Sequence, residues 1–108
     1  MTVQMSPTEL AERLRSDAPP HLLDVREAEE HELVALPSSK LIPLGQLSGR
    51  FMEIETWKDE EIVVYCHHGI RSLDAIRQLH FLGFVKLKNL TGGIDRWTSD
   101  VDPGLPRY

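Results

Sequence analysis

At 108 residues and 41% apolar content, the chain can fill one hydrophobic core but not two, which excludes both a disordered polypeptide and a two-domain arrangement. Its formal net charge of -5 excludes a nucleic-acid surface, since phosphate recognition needs clustered Lys and Arg. No apolar run approaches the ~18 residues of a membrane span, residues 1–5 carry no basic and apolar leader, and a single cysteine allows no internal disulfide.

The first element predicted is a helix beginning at Ser6-Pro7-Thr8-Glu9. Ser6 can cap it, Pro7 suits the first helical position, and Glu9 is spaced to close a capping box. Leu10, Ala11 and Leu14 give it an apolar stripe, and Pro19-Pro20 stop it. Residues 21–25 read as a short strand containing Asp24, residues 26–33 as a short acidic helix, and residues 40–43 as a brief strand cut off by Pro43. Residues 47–54 read as a helix, in which Phe51 and Met52 are expected in the core rather than at a pocket mouth. The clearest strand is Glu61-Ile62-Val63-Val64-Tyr65, a β-branched and aromatic run suited to burial on both faces. Leu73, Ile76, Leu79 and Leu82 then recur at helical spacing up to Gly83. A strand over residues 84–87 and a short helix opened by Gly92-Gly93 complete the chain. Trp57 and Trp97 are expected to pack, and His80 to be exposed. Short strands alternating with helices define an α/β fold: a central parallel sheet flanked by helices on both faces. The expectation is one domain over residues 1–108, monomeric and cytoplasmic, with no cofactor and with neither nucleic acid nor membrane as partner.

In such a sheet, ligands gather at the carboxyl ends of the strands. The segment there is Cys66-His67-His68-Gly69-Ile70-Arg71-Ser72, between the buried strand and a helix. A short loop entering a helix turns several backbone N–H groups inward, and the helix dipole adds positive potential. A thiol so placed is expected to favour the thiolate, its reactive form. Arg71 adds a permanent charge, His67 and His68 offer charge or hydrogen bonds, and Gly69 gives a tight loop its conformational freedom. A lone cysteine at a strand end is most often a small buried hydrophobe. Here the strand–loop–helix setting and an arginine five residues on favour chemistry. A metal is not expected, because consecutive side chains in a short loop diverge and no second ligand cluster stands at zinc-like spacing.

Three segments in order resemble the rhodanese family: Leu22-Leu23-Asp24-Val25-Arg26-Glu27, Val63-Val64-Tyr65-Cys66-His67-His68-Gly69-Ile70-Arg71-Ser72, and Asn89-Leu90-Thr91-Gly92-Gly93-Ile94-Asp95-Arg96-Trp97. The resemblance implies sulfur transfer. Cys66 would take the outer sulfur of a small anionic donor such as thiosulfate, forming a persulfide, and pass it to a thiol, cyanide or a sulfur-carrier protein. It implies that the N–H groups from His67 to Ser72 stabilise the anionic sulfur and that Arg71 attracts the donor. Asp24 and Arg26 would brace the loop, while Asp95 and Trp97 pack or cap. Many members carry Gly-His-Ile-Pro-Gly-Ala after the first segment. Here Val34-Ala35-Leu36-Pro37-Ser38-Ser39 and Leu41-Ile42-Pro43-Leu44-Gly45 stand in its place. That region looks more like the rhodanese domains fused to ubiquitin-activating-type adenylyltransferases. Phosphatases and arsenate reductases of the same fold are the nearest rivals, but their loops are one residue longer than the six positions from Cys66 to Arg71. A non-catalytic docking or relay module is the other alternative, with the acidic run at residues 27–32 as a docking surface or simply a solvated helix face.

Overall fold

The computed structural model describes residues 3–108. Five strands, β1 (Val3–Met5), β2 (His21–Asp24), β3 (Lys40–Leu41), β4 (Glu61–Tyr65) and β5 (Lys86–Leu90), form one parallel sheet in the order β1-β5-β4-β2-β3. Around it lie α1 (Pro7–Leu14), α2 (Ala28–Leu33), α3 (Leu47–Arg50), α4 (Arg71–Phe81) and α5 (Gly93–Asp100). The α/β reading holds, and strand alternation explains how. Successive residues of a strand face opposite sides. Leu23, Ile62 and Val64 pack with Leu47, Ala75, Ile76 and Leu79 on one side of the sheet. Leu22, Val63 and Tyr65 pack with Leu10, Ile94 and Trp97 on the other. β4 feeds both cores, so its unbroken apolar run has a direct use.

Local chemistry sets most boundaries. Ser6 Oγ accepts the Glu9 N–H at 3.2 Å, which supplies the Ser6 half of the expected capping box on α1. The helix expected over residues 47–54 is instead α3 followed by a 3₁₀ stretch, Phe51–Trp57, with a non-helical break at Ile54. Ser48 and Gly49 are weak helix formers, so the anchoring of Leu47, Phe51 and Ile54 against the core sets the path. β5 begins at Lys86 rather than residue 84, because Gly83 and Phe84 still complete the turn out of α4 through Phe84 N–H to Leu79 carbonyl, 3.0 Å. β1 is a strand the sequence did not announce. Its three residues contribute one fully buried side chain, Met5, which leaves no periodicity to read. Among the described residues, no helix is long and apolar enough to cross a membrane.

Candidate active site

β4 ends at Tyr65 and α4 starts at Arg71, so the intervening loop turns over the carboxyl end of the sheet with Cys66 at its base, 1% exposed. Two backbone donors converge on the sulfur: the Gly69 N–H at 3.2 Å and the Ser72 N–H at 3.4 Å from Sγ. The Ser72 hydroxyl stands 3.5 Å from the same atom. Such a cradle, made of fixed dipoles, suits an anionic sulfur and requires little reorganisation to accept one.

The cradle is held from two sides. From β5, Asn89 accepts the Ser72 hydroxyl and donates to the Gly69 carbonyl at 3.4 Å and to Gln4 Oε1 at 3.0 Å. From α5, the Ile94 N–H binds the Cys66 carbonyl at 2.9 Å and the Asp95 N–H binds the His67 carbonyl at 3.0 Å. Gly93 makes that approach possible. It sits at φ 64°, and a Cβ there would fall 2.3 Å from the His67 carbonyl oxygen and 2.5 Å from that of Cys66. The third sequence segment is thus a backbone clamp on the thiol loop.

The remaining loop side chains form a rim. The Arg71 guanidinium meets Glu30 of α2 at two points, 2.7 and 2.9 Å, so an anion approaching those two nitrogens competes with Glu30. That pairing holds the Glu30 carboxyl down at about 2, chiefly through the Arg71 hydrogen bonds, and raises Arg71 through the same contact. His67 and His68 do not diverge. Their rings stack at 4.0 Å, and Tyr108 stacks on His67 from its other side, also at 4.0 Å, because the flat apolar faces gain from mutual contact. Burial and the neighbouring His68 hold His67 below its usual range. The ligand atoms of His67, His68 and Asp95 come within 4.8 Å of one another. The two rings are 21° from parallel, His68 Nε2 lies 3.7 Å from Asp95, and Asp95 also accepts from Arg107 at 3.2 Å. A stacked, hydrogen-bonded rim follows from that geometry. Ile70 lies exposed at its edge.

Asp24 and Arg26 act one layer further out than the expectation of a direct brace. They form a fully buried pair, Nε and Nη2 of Arg26 reaching the Asp24 carboxylate at 2.9 and 2.7 Å. Arg26 also binds the Val34 carbonyl at 2.7 Å and the Tyr108 hydroxyl at 2.8 Å, and His31 stands 2.8 Å from Asp24. Burial opposes the Arg26 charge, but the contacts with Asp24 and Tyr108 more than offset it and raise its proton affinity. They adjoin the loop at two places: Asp24 pairs in the sheet with Tyr65, next to Cys66, and Tyr108, held by Arg26, touches both His67 and Glu30. Glu30 and Tyr108 were not singled out in the sequence. The Glu27–Glu30 cap spacing was a usable signal for the first, whereas nothing marked the second.

A thiol at the floor of a strand–loop–helix turn, with N–H groups converging on it, defines a cysteine-centred α/β domain. The comparisons identify which. The family model for the rhodanese-like domain matches residues 6–100, and the chain belongs to that family. It is 33% identical over 97 residues to the adenylyltransferase and sulfurtransferase uba4 of Ogataea parapolymorpha, covering 90% of this chain and 25% of that protein. It is 36% identical over 91 residues to the putative sulfur carrier protein YrkF of Bacillus subtilis, covering 84% of this chain and 48% of that one. The chain therefore spans between a quarter and a half of these relatives' length. Among solved structures, a rhodanese-like domain protein from Staphylococcus aureus superposes with a TM-score of 0.83 at 28% identity, covering 100% of this chain and 99% of that one. The human single-domain sulfurtransferase TSTD1 does so with a TM-score of 0.78 at 25% identity, covering 93% and 98%.

Proposed function

We propose that the domain transfers sulfane sulfur through a persulfide on Cys66. The observation that carries this reading is the pair of backbone N–H groups aimed at a buried Sγ. In the first step the Cys66 thiolate attacks the outer sulfur of a donor. With thiosulfate, the S–S bond of the donor breaks and sulfite leaves with the electron pair, giving Cys66–S–S⁻ without any oxidant. The new terminal sulfur inherits the cradle's donors. Cyanide or a thiol, including a thiol of a carrier protein, then attacks that sulfur, giving thiocyanate or a new persulfide, and Cys66 leaves as the thiolate.

Kinship with sulfurtransferases and a sulfur carrier supports this assignment over phosphoryl transfer. A sulfur 1% exposed at the floor of a six-position loop admits one atom more readily than a tetrahedral oxyanion. Intact-protein mass spectrometry after incubation with thiosulfate tests it. The expected result is a gain of one sulfur atom, removed by a reductant and absent from Cys66→Ser. Sulfur uptake by the serine variant would end the assignment.

One observation favours a second reading, a docking module. At the end of α4 remote from the thiol, Phe81 is 90% and Val85 61% exposed, beside Arg77, Lys86 and Lys88. That apolar face, rimmed by Arg77, Lys86 and the ion pair of Lys88 with Glu61, suits a partner segment with apolar side chains. Failure of every donor to load Cys66 would make docking the better account.

A further inference from the structure

Glu30 is built into position rather than left to wander. As the third residue of α2 it accepts the Glu27 N–H at 3.0 Å through Oε1. Both of its oxygens receive Arg71, and Oε2 also accepts the Tyr108 hydroxyl at 2.7 Å. Tyr108 is in turn held by Arg26 and by its stack on His67. The same matching recurs around the loop, where Arg26 ends on Asp24 and Arg107 on Asp95. Among the described residues, each guanidinium touching this rim faces a carboxylate. A dianion reaching for Cys66 meets no spare guanidinium and approaches a chain of net charge -5. To take the two Arg71 nitrogens that Glu30 occupies it must displace Glu30, leaving beside it a carboxylate whose side chain is only 18% exposed. A donor of low charge needs no such displacement.

We infer that Glu30 is a charge selector at the mouth of the thiol loop, which by occupying Arg71 makes the site favour sulfane-sulfur donors of low negative charge over dianions. This rests on the persulfide reading of Cys66. Glu30 acts through Arg71 and does not touch the reacting sulfur. It is a specificity residue, not a catalytic one.

Two donors separate charge from chemistry. Thiosulfate is a dianion that releases sulfite, and methanethiosulfonate is a monoanion that releases methanesulfinate. Each hands over the same sulfur when its S–S bond breaks. Steady-state turnover with cyanide as acceptor gives KM and kcat for both. In Glu30→Gln, thiosulfate KM is expected to fall about tenfold and methanethiosulfonate KM about threefold, since the interaction scales with donor charge, while kcat changes little. In an Arg71→Gln background the same substitution is expected to lose most of that effect, as coupled residues do. Equal shifts for both donors, or an undiminished effect without Arg71, would overturn the selector. The unmodified protein supplies a test that no folding defect can blur. Its thiosulfate KM is expected to exceed its methanethiosulfonate KM and to fall as salt screens the repulsion. A thiosulfate KM that is the lower of the two and rises with salt contradicts the proposal. If neither donor loads Cys66, the persulfide reading fails and the selector fails with it; if both load with the same preference in all proteins, only the selector fails.

Discussion

The floor and the rim of the loop are made of different materials. Around Cys66 Sγ the contacts are backbone N–H groups and one hydroxyl, fixed by β5 and by the first turn of α5. A few ångströms out, the contacts are side-chain charges and rings supplied by α2 and by the segment after α5. Backbone dipoles cannot be exchanged by substitution and do not titrate, so the floor offers any incoming sulfur the same environment. Side-chain charges can be neutralised one at a time. The floor is therefore suited to set what reaction occurs, and the rim to set which molecules reach it.

The sharpest way to break the floor is Gly93→Ala. The added Cβ would lie 2.3 Å from a backbone oxygen, and neither backbone can yield without opening the clamp on Cys66 and His67. A loss of about 3 kcal/mol or more is expected in chemical denaturation, combining the clash with a strained positive φ. Sulfur uptake should fall with it. Wild-type stability in this variant would show that the α5 clamp is not needed to hold the loop.

The deepest part of the rim should respond nearly as strongly. Removing one member of the buried pair, as in Asp24→Asn, leaves an incompletely matched charge, and a loss of about 3 kcal/mol is expected. Replacing both, Asp24→Leu with Arg26→Met, is expected to recover part of that loss, because no buried charge remains. A double variant less stable than the sum of the two singles would refute this account of the pair. It would point instead to the Arg26 contacts with Val34 and Tyr108 as the main contribution.

The floor was far easier to read in the sequence than the rim, for a physical reason. A buried strand, a loop and a helix leave local signals: the run from Ile62 to Tyr65, the glycines at 69, 92 and 93, and the apolar spacing of α4. Those signals point to the Cys66 loop, where two of the N–H groups expected from His67 to Ser72, those of Gly69 and Ser72, reach the sulfur. The rim depends on contacts between residues far apart in the chain, Glu30 with Arg71 and Tyr108 with Arg26, and no local pattern encodes them. The acidic run of α2 reads equally well as a solvated face. Arg71 therefore reads as a lone cation in the sequence, whereas in the fold it pairs with Glu30. The stacking of His67 on His68 has the same origin, since Tyr108 completes the pile from elsewhere in the fold. β1 escaped because one buried methionine is too little to make a pattern.

The smallest expected effect isolates the rim by pH alone. The Glu30 carboxyl is lowered from an ordinary 4.5 to about 2 by its hydrogen bonds from Arg71, so the folded protein binds its proton less readily than the unfolded chain does. Its contribution to stability is then fully present above pH 4.5 and is lost as pH falls toward about 2. Within that window the facing groups keep their charge state. Arg71 and Arg26 are raised above their usual range, and Tyr108 is pushed up to about 12 by burial. The difference in unfolding free energy between wild type and Glu30→Gln should thus be flat above pH 4.5 and shrink steadily below it. Other carboxylates titrate in both proteins and cancel in the difference. A gap that stays constant down to pH 2 would mean that Glu30 contributes through its shape and its place in the α2 cap, and the two-point pair with Arg71 would carry no net stabilisation. A gap that closes would show that the ionised pair of Glu30 with Arg71 itself stabilises the fold, so that the rim helps to hold the floor as well as to select donors.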